Sequence, residues 1–234
     1  DNGLKMVVNG KTLYGKAIQA LRARIINQQF FYGDGQYQTV SVLSAYHDRI
    51  IQEIQCVRSL KVVLDCGNGM AGLTAPQLFR DLGCSVISLY DEVDGHFPNH
   101  HPDPTRPNNL VAIQKAIREH NADIGFAFDG DADRVMVLTN KASIIWPDQL
   151  MMIFAQSILP HYPGASIVFD VKSTRHLSDM IASLGGVPHM SATGHSLIKQ
   201  AMVEKNAPLS GEMSGHIFFQ DRWYGFDDGV YAAL

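Results

Sequence analysis

Residues 124–138 of the chain read IGFAFDGDADRVMVL, two apolar segments joined by a polar hexapeptide. This hexapeptide, the acidic loop, places Asp129, Asp131 and Asp133 at every second position and ends on Arg134. Apolar segments of four or five residues are typical of buried strands. The pattern therefore predicts a tight acidic loop at the end of a buried strand.

The three carboxylates of the acidic loop indicate a cation. Two carboxylates about 4 Å apart repel by roughly 4 kcal/mol at an effective dielectric constant near 20, so a cation or a proton must lie between them. Oxygen ligands without histidine or cysteine favour Mg²⁺ or Ca²⁺. An EF-hand would need glycine and glutamate where this chain has Arg134 and Asn140. Mg²⁺ beside the phosphate-matching guanidinium of Arg134 indicates phosphoryl chemistry. The alternative is a turn whose carboxylates cap backbone amides.

Composition describes a globular chain without a strong overall charge. Its 234 residues suffice for one large domain or two of ordinary size, 46% of them are hydrophobic, and the net charge is −4. That charge gives no broad field for nucleic acid or an anionic membrane, so we expect neither as a partner. No apolar run approaches the roughly 18 residues of a spanning helix. Cys56, Cys66 and Cys84 are odd in number and lack metal-ligand spacing, which predicts free thiols and a cytoplasmic location.

Alternating patterns predict two consecutive α/β domains of similar topology, each with an open mixed or parallel sheet. Strands are expected at residues 62–65, 85–90, 124–128, 135–138, 166–171, 188–190 and 209–211. Helices are expected at residues 42–55, 74–82, 109–119, 148–157, 175–184 and 195–204. The acidic loop then lies at the carboxyl edge of a sheet, where such folds bind ligands.

A boundary near residue 142 divides the predicted domains into 41–142 and 143–234. Residues 1–40, with a strand at 4–8 and a helix at 12–28, are expected to be the strand-helix remnant of a preceding domain. The last residues read as a helix that starts near Asp227. Because the pattern begins and ends inside elements, we expect the chain to be a fragment.

Residues 67–72 read GNGMAG between a strand and a helix, with Asp91 about 20 residues later. This is the dinucleotide-binding fingerprint in its usual context. Asp65, two residues before the first glycine, would bring an extra anion toward a bound pyrophosphate. We therefore interpret the glycines as a tight turn, with an NAD-dependent oxidoreductase as an alternative.

Further polar residues follow other predicted strands. Residues 211–216, the polar loop, read GEMSGH, and an extended backbone would present Glu212, Ser214 and His216 on one face, as sugar binding requires. The alternative is a polar turn. Lys172 and His195 each follow another strand at the same predicted edge. Adjacent histidines at 100 and 101 suggest a metal pair, but neighbouring side chains of an extended segment point apart, so we expect a proline-stiffened loop there.

With these motifs together, the chain resembles the α-D-phosphohexomutases, specifically the bacterial phosphomannomutase/phosphoglucomutase group, over essentially its whole length. The acidic loop is similar to that family's metal loop and the polar loop to its sugar-recognition loop. Residues 97–107 and 193–199 are also similar to family segments.

The resemblance implies roles for individual residues on the phosphoryl side of the reaction. Asp129, Asp131 and Asp133 would bind one Mg²⁺ ion, and Arg134 would contact the transferred phosphoryl group. Lys5 would assist proton movement at that phosphate.

On the sugar side, the resemblance implies that Glu212 and Ser214, with His216 nearby, hold the hydroxyl groups. Lys172 and His195 would line the cleft. The implied substrates are small hexose phosphates.

The implied reaction converts hexose 1-phosphate to hexose 6-phosphate reversibly through a phosphoserine and a bisphosphate, with a glucose 1,6-bisphosphate-type activator. The resemblance puts the phosphoserine loop before Asp1 and a final domain after Leu234, so the chain alone is expected to be inactive. A non-catalytic module that binds Mg²⁺ or a sugar phosphate is the alternative from another class. The choice between mannose and glucose and the oligomeric state stay open.

Overall fold

The structure is a computed structural model that describes residues 6–9 and 11–234. Its strands are β1 Val7–Val8, β2 Lys11–Thr12, β3 Lys61–Asp65, β4 Ser85–Leu89, β5 Ile124–Phe128, β6 Val135–Thr139, β7 Ile144–Ile145, β8 Ser166–Asp170, β9 Val187–Ser191, β10 Leu209–Gly211 and β11 Ile217–Phe219. Its α-helices are α1 Lys16–Ile26, α2 Leu43–Glu53, α3 Ala75–Asp81, α4 Val111–His120, α5 Pro147–Ile158, α6 Arg175–Ser183, α7 His195–Lys205 and α8 Gly229–Ala233. None of these described helices is both long and apolar enough to cross a membrane.

The chain divides into two compact units, Asp1–Ser41 and Val42–Leu234. In the first unit β1 and β2 form an antiparallel ribbon, with Val7 opposite Thr12, and α1 follows. The helix predicted from residue 12 therefore begins only at Lys16, because Thr12 belongs to the ribbon. Residues 4 and 5 of the predicted strand lie outside the described residues.

The second unit contains two sheets of similar strand order. In the first sheet the order is β4-β3-β5-β6-β7, and in the second, read from the opposite edge, it is β9-β8-β10-β11. In both sheets the second strand along the chain lies at the edge beside the first, followed by the third and the fourth, and the first sheet adds β7. In each sheet the first three strands along the chain are parallel and the fourth is antiparallel. The predicted fold class of two mixed α/β sheets of similar topology is thus confirmed.

The first sheet extends beyond the predicted domain boundary near residue 142. Strand β7 pairs with β6 through Ile144 and Ile145, and the chain enters α5 at Pro147. A two-residue strand has too few side chains to show a period of two, so the sequence pattern does not reveal it.

One apolar core connects the two sheets of the second unit. Leu64 and Phe128 from the first sheet belong to the same buried cluster as Phe169 and Leu209 from the second. Each of these side chains is nearly or fully inaccessible to solvent. Burying large side chains of this kind contributes roughly 1.5–3 kcal/mol each, so the two sheets stabilise each other.

Polar contacts also join α2 to the end of the chain. The hydroxyl of Tyr46 lies 3.1 Å from both carboxylate oxygens of Asp228, and the hydroxyl of Tyr231 donates to Glu53 at 2.6 Å. Burial, together with the charge of Asp228, raises the pKa of Tyr46, which keeps its hydroxyl protonated as a donor. Asp228 also caps α8 by accepting from the amide of Tyr231.

All three cysteines are free thiols, as predicted. Cys66 and Cys84 are buried and Cys56 is half-buried. Burial, reinforced by the charges of Asp65 and Asp91, raises the pKa of the Cys66 thiol, so this side chain remains in its unreactive form.

The third glycine of the 67–72 segment is required by a close approach of two backbones. A Cβ atom at Gly72 would overlap the carbonyl oxygen of Asp91 and lie 2.8 Å from its carbonyl carbon. We expect Gly72→Ala to lower the free energy of unfolding by about 1–3 kcal/mol, because overpacking against backbone forces the backbone to shift. Urea denaturation of the variant measures this cost.

Gly95→Ala is the matched control for Gly72→Ala. A Cβ atom at exposed Gly95 would meet nothing within 4 Å, so this substitution should change stability by less than about 0.5 kcal/mol. Equal effects of the two substitutions would contradict the steric explanation.

Candidate functional site

The acidic loop is the hairpin connection between β5 and antiparallel β6. Ala132 adopts a left-handed conformation with φ of 63°, and its amide donates to the carbonyl oxygen of Asp129 at 3.2 Å. This curl brings one carboxylate oxygen each from Asp129, Asp131 and Asp133 within 4.8 Å of one another. Asp129 and Asp133 are buried, whereas Asp131 is exposed. The set offers only oxygen donors, which fits a hard divalent cation such as Mg²⁺.

Arg134 is held by two carboxylates. Its Nε donates to Asp129 Oδ2 at 2.6 Å, its backbone amide donates to Asp129 Oδ1 at 3.1 Å, and its Nη1 donates to Asp103 Oδ1 at 3.4 Å. Asp103, from the loop between β4 and α4, was not predicted as a site residue. The two carboxylates fix the direction in which the remaining guanidinium donors face.

The pKa values of the two carboxyl groups that hold Arg134 are shifted in opposite directions. Burial raises the pKa of Asp129 even though the charge of Arg134 opposes this change. At Asp103 burial also disfavours ionisation, but hydrogen bonds from Thr105 and the charge of Arg134 outweigh it and lower the pKa. Asp103 is therefore the more readily ionised partner of Arg134.

The polar loop is a turn, which is one of the two conformations that the sequence left open. The amide of Gly215 donates to the carbonyl of Glu212 at 3.0 Å, and the amide of Glu212 donates to the carbonyl of His216 at 2.9 Å. Gly215, with φ of 100°, reverses the chain between β10 and β11. The turn still brings two predicted groups together, since Ser214 Oγ donates to Glu212 Oε2 at 2.9 Å.

Glu212 carries a buried oxygen that has no hydrogen-bond partner. The residue is 4% exposed, and its Oε1 accepts from no group in the part of the chain that the structure describes. An unsatisfied buried acceptor costs roughly 1–3 kcal/mol. Such an atom in a native structure fits a role in binding a donor from a ligand.

The acidic and polar loops are joined by backbone contacts. Arg134 and His216 form an isolated antiparallel bridge, and the amide of Val135 donates to the carbonyl of Gly215 at 3.2 Å. On the other side of the acidic loop, the amide of Gly229 donates to the carbonyl of Ala132 at 2.9 Å. Two predicted sites that lie some 80 residues apart in sequence are therefore adjacent in space.

His216 of the polar loop lies near two carboxylates, Asp133 of the acidic loop and Asp227 of the segment before α8. Its Nδ1 lies 2.8 Å from Asp227 Oδ2 and 3.5 Å from Asp133 Oδ1. Atoms of these three residues form a second group close enough to hold a metal ion. The short His216–Asp227 distance also fits an ion pair, and Asp227 was not predicted as a site residue.

The remaining predicted site residues fall into three positions. His195 begins α7, and its ring centroid lies 5.7 Å from that of His216. Lys172 is exposed in the turn after β8, at the carboxyl edge of the second sheet. Lys5 lies outside the described residues.

The predicted turn at residues 67–72 is present and leads into a 3₁₀ turn at Met70–Leu73. Asp65 accepts from the amide of Gly67 at 3.0 Å, and the Nε2 atom of His100 lies 3.1 Å from both carboxylate oxygens of Asp65. The side chains of Asp65 and His100 therefore occupy the region beside the first glycine. The other ring nitrogen of His100, Nδ1, lies 2.9 Å from the carbonyl oxygen of His101, so both ring nitrogens have partners in the chain.

The pairing of His100 with Asp65 predicts a pH-dependent stability. The hydrogen bond to Asp65 raises the pKa of His100, against the effect of burial. A histidine with a raised folded-state pKa stabilises the fold below its unfolded pKa, and this contribution is lost as the pH rises through the folded value. We expect the difference in melting temperature between the parent chain and His100→Gln to be larger at pH 5.5 than at pH 8.5.

His96→Gln is the matched control for the pH experiment. His96 contacts Asp94 at 2.8 Å, but its side chain is 95% exposed. Its replacement should change the melting temperature little at either pH. A His100→Gln effect that is the same at both pH values would contradict a charged pair.

Comparison with known proteins gives matches over most of the chain. The family model described as phosphoglucomutase/phosphomannomutase, alpha/beta/alpha domain II matches residues 44–142. The model for domain III of the same family matches residues 146–234.

Individual relatives match nearly all of the chain. It is 54% identical to a phosphomannomutase/phosphoglucomutase of Pseudomonas aeruginosa over 99% of this chain and 50% of that protein. It is 48% identical to a phosphoglucomutase of Neisseria gonorrhoeae over 99% of this chain and 51% of that protein. The crystal structure of a phosphoglucomutase/phosphomannomutase family protein from Burkholderia thailandensis superposes with a TM-score of 0.95 at 49% identity, over 98% of this chain and 50% of that one. The chain thus spans about half the length of the curated relatives it matches.

Proposed function

We propose, from the premise that this chain belongs to the phosphoglucomutase/phosphomannomutase family, that it supplies the metal-binding and sugar-binding parts of an enzyme that interconverts hexose 1-phosphates and hexose 6-phosphates. One observation carries the proposal: the acidic loop and the polar loop pair directly through Arg134 and His216. Phosphoryl transfer to a sugar needs the charge-stabilising groups and the sugar contacts within one substrate length. The paired loops support such an arrangement.

On the phosphoryl side, we assign Asp129, Asp131 and Asp133 to Mg²⁺. The ion would stabilise the negative charge of the phosphoryl group in flight. Arg134, oriented by Asp129 and Asp103, would donate to the phosphoryl oxygens through its remaining guanidinium N–H groups.

On the sugar side, we assign Glu212 and Ser214 to the hydroxyl groups. The unpartnered Oε1 of Glu212 can accept a hydroxyl proton, and Ser214 Oγ can accept a second while it donates to Oε2. His216 and His195 lie close enough to serve the same substrate, and Lys172 at the sheet edge supplies a positive charge for a phosphate. Lys5 is proposed to assist proton movement on the strength of the family resemblance alone.

The resemblance also supports the remaining parts of the proposal. The enzyme would use a phosphoserine and a glucose 1,6-bisphosphate-type activator. The buried free thiols support a reducing, cytoplasmic location.

Two other functions compete with this one. A non-catalytic module would bind Mg²⁺ and hexose phosphate through the same loops but would support no turnover in any context. An NAD-dependent oxidoreductase would need the region beside Gly67, which Asp65 and His100 occupy. We therefore expect no NADH binding.

Titration calorimetry of the chain with Mg²⁺ tests the metal assignment. We expect millimolar affinity in the parent chain, because a site with few protein ligands and several waters is weak, and no measurable binding in Asp131→Asn. Asp131 is exposed, so its replacement should not unfold the chain. Asp179→Asn, at a 61% exposed aspartate of α6, is the control and should bind Mg²⁺ as the parent does.

Unchanged Mg²⁺ affinity in Asp131→Asn would refute the metal site.

Micromolar NADH binding would instead favour the oxidoreductase. Catalysis can be tested in a hybrid protein in which this chain replaces the matching half of the Pseudomonas aeruginosa relative. A folded hybrid that binds substrate without turnover would favour the non-catalytic module.

A further inference from the structure

Asp170 is a buried carboxylate that none of the assigned roles uses. It is the last residue of β8, the strand that lies between β9 and β10 in the second sheet, and it is 0% exposed. Because parallel strands end at the same edge, its side chain can reach the loops that follow both neighbouring strands.

The carboxylate of Asp170 accepts hydrogen bonds from three successive loops. Ser173 Oγ, in the turn after β8, donates to Oδ1 at 3.0 Å. Thr193 Oγ1, in the loop after β9, donates to Oδ2 at 3.2 Å. The backbone amide of Met213, in the loop after β10, donates to Oδ1 at 3.3 Å.

Each of these loops carries residues to which the proposed function assigns a substrate contact. Lys172 precedes Ser173, His195 follows Thr193 by two residues, and Met213 lies between Glu212 and Ser214. One carboxylate therefore links all three groups of proposed sugar and phosphate contacts.

We propose that Asp170 is a positioning residue that holds these three loops in register, and that it does so through its hydrogen-bond acceptors and not through its negative charge. The inference rests on the proposed function for what the loops bind. The hydrogen bonds that link the loops are present in this chain whatever the loops bind.

The donors around Asp170 explain why its charge is dispensable. All three are neutral, and among the described residues no cationic side chain forms an ion pair with it. Asp65, at the matching end of β3 in the first sheet, contrasts with this because it faces the imidazole of His100. A charge buried among neutral donors is not needed for stability if an uncharged group can satisfy the same donors.

The side-chain amide of an asparagine at position 170 can satisfy the three donors that contact Asp170. In Asp170→Asn the amide oxygen can accept from Met213 and Ser173, as Oδ1 does now. The amide nitrogen can donate to Thr193, because a hydroxyl accepts as well as donates. Only the Met213 amide is an obligate donor, and it faces the oxygen in this arrangement. Asp170→Ala removes all three acceptor contacts.

Hydrogen–deuterium exchange of the 234-residue chain, followed by mass spectrometry, tests the linkage. We expect Asp170→Ala to speed exchange by roughly tenfold or more in residues 171–174, 192–196 and 212–216 together, and to leave α4 unchanged. Asp170→Asn should stay within about threefold of the parent in all three segments. Thr193→Val, which removes one donor, should speed exchange in residues 192–196 only.

Two results would overturn the proposal. One is an effect of Asp170→Ala that is confined to residues 171–174. The other is loop opening in Asp170→Asn as large as that in Asp170→Ala, which would mean that the charge is required. If Asp170→Ala does not fold, faster exchange of more than about threefold in Asp170→Asn, or unchanged exchange of residues 192–196 in Thr193→Val, would overturn the proposal.

A titration with glucose 1,6-bisphosphate, monitored by NMR, tests the link to the substrate. Binding should weaken at least tenfold in Asp170→Ala and persist in Asp170→Asn. Retained binding in Asp170→Ala with opened loops would contradict the positioning role. Absence of binding in the parent chain would count against the proposed function, whereas the exchange data would still report on the linkage.

Discussion

Arg134→Ala is expected to lower the free energy of unfolding of the chain by about 3 kcal/mol, because it leaves a buried carboxylate without its charged partner. Asp129 is 2% exposed, and both of its oxygens accept from Arg134. The backbone amide remains in the variant, but the contact at 2.6 Å from Nε is lost. Urea denaturation in the presence of a chelator measures this cost without a contribution from bound metal.

Arg106→Ala provides the matched control for Arg134→Ala. Arg106 contacts Asp103, as Arg134 does, at 3.2 Å, but its side chain is 76% exposed. An exposed ion pair contributes less than about 1 kcal/mol, so this substitution should have little effect. Equal costs for the two arginines would contradict the importance of burial at Asp129.

The cost of Arg134→Ala should also depend on pH. Burial raises the pKa of Asp129 in the folded state. The charge and the hydrogen bond of Arg134 lower this pKa, so their loss in the variant raises it further. The folded variant therefore binds a proton more readily than the unfolded chain, so its relative stability recovers as the pH falls. We expect a smaller difference from the parent at pH 5 than at pH 8, and an unchanged difference would refute this explanation.

Much of the fold follows from local sequence pattern, and the failures have a common cause. The strand Ile124–Phe128 has the predicted bounds because five successive apolar residues can be buried only between two covered faces. Strands β2 and β7 were missed because two-residue strands show no period. In these places pairing with a partner strand determines the structure, and such pairing leaves no local signal.

The site residues also divide into those that a local sequence pattern predicts and those that it does not. The carboxylates of the acidic loop could be predicted because its six residues contain all of them. Asp103, Asp170 and Asp227 were missed because each meets its partner only after the chain has folded back. For Asp103 and Arg134 the separation is 31 residues, and for Asp170 and Met213 it is 43. The sequence left the polar loop open between an extended segment and a turn, because alternation of polar residues does not distinguish a strand from a turn that contains Gly215.

Glu212→Ala is expected to reduce kcat/KM by roughly 5- to 150-fold in the hybrid protein with the Pseudomonas aeruginosa relative. The substitution removes the proposed acceptor for sugar hydroxyls, and unpaired groups in a closed site cost about 1–3 kcal/mol. Glu212 Oε1 is buried without a hydrogen bond, so the carboxylate contributes to folding mainly through its contact with Ser214. The melting temperature should therefore change little, which separates lost binding from lost folding.

Glu204→Ala is the control for Glu212→Ala. Glu204 is exposed on α7 and accepts from Gln200 one turn earlier, so its loss should leave kcat/KM within about twofold of the parent hybrid. Both variants keep the acidic loop intact. A loss of activity in Glu204→Ala similar to that in Glu212→Ala would indicate a general effect on the fold.

The loss in Glu212→Ala should be about equal for glucose 1-phosphate and mannose 1-phosphate. A mutase binds its sugar in two opposite orientations, so its recognising groups must contact hydroxyls whose relative positions survive the reversal. The adjacent hydroxyls at C3 and C4 meet this requirement, and a carboxylate can accept from both. Glucose and mannose differ only at C2. If one substrate loses tenfold more than the other, Glu212 contacts the C2 hydroxyl, and the assignment of the polar loop to C3 and C4 is wrong.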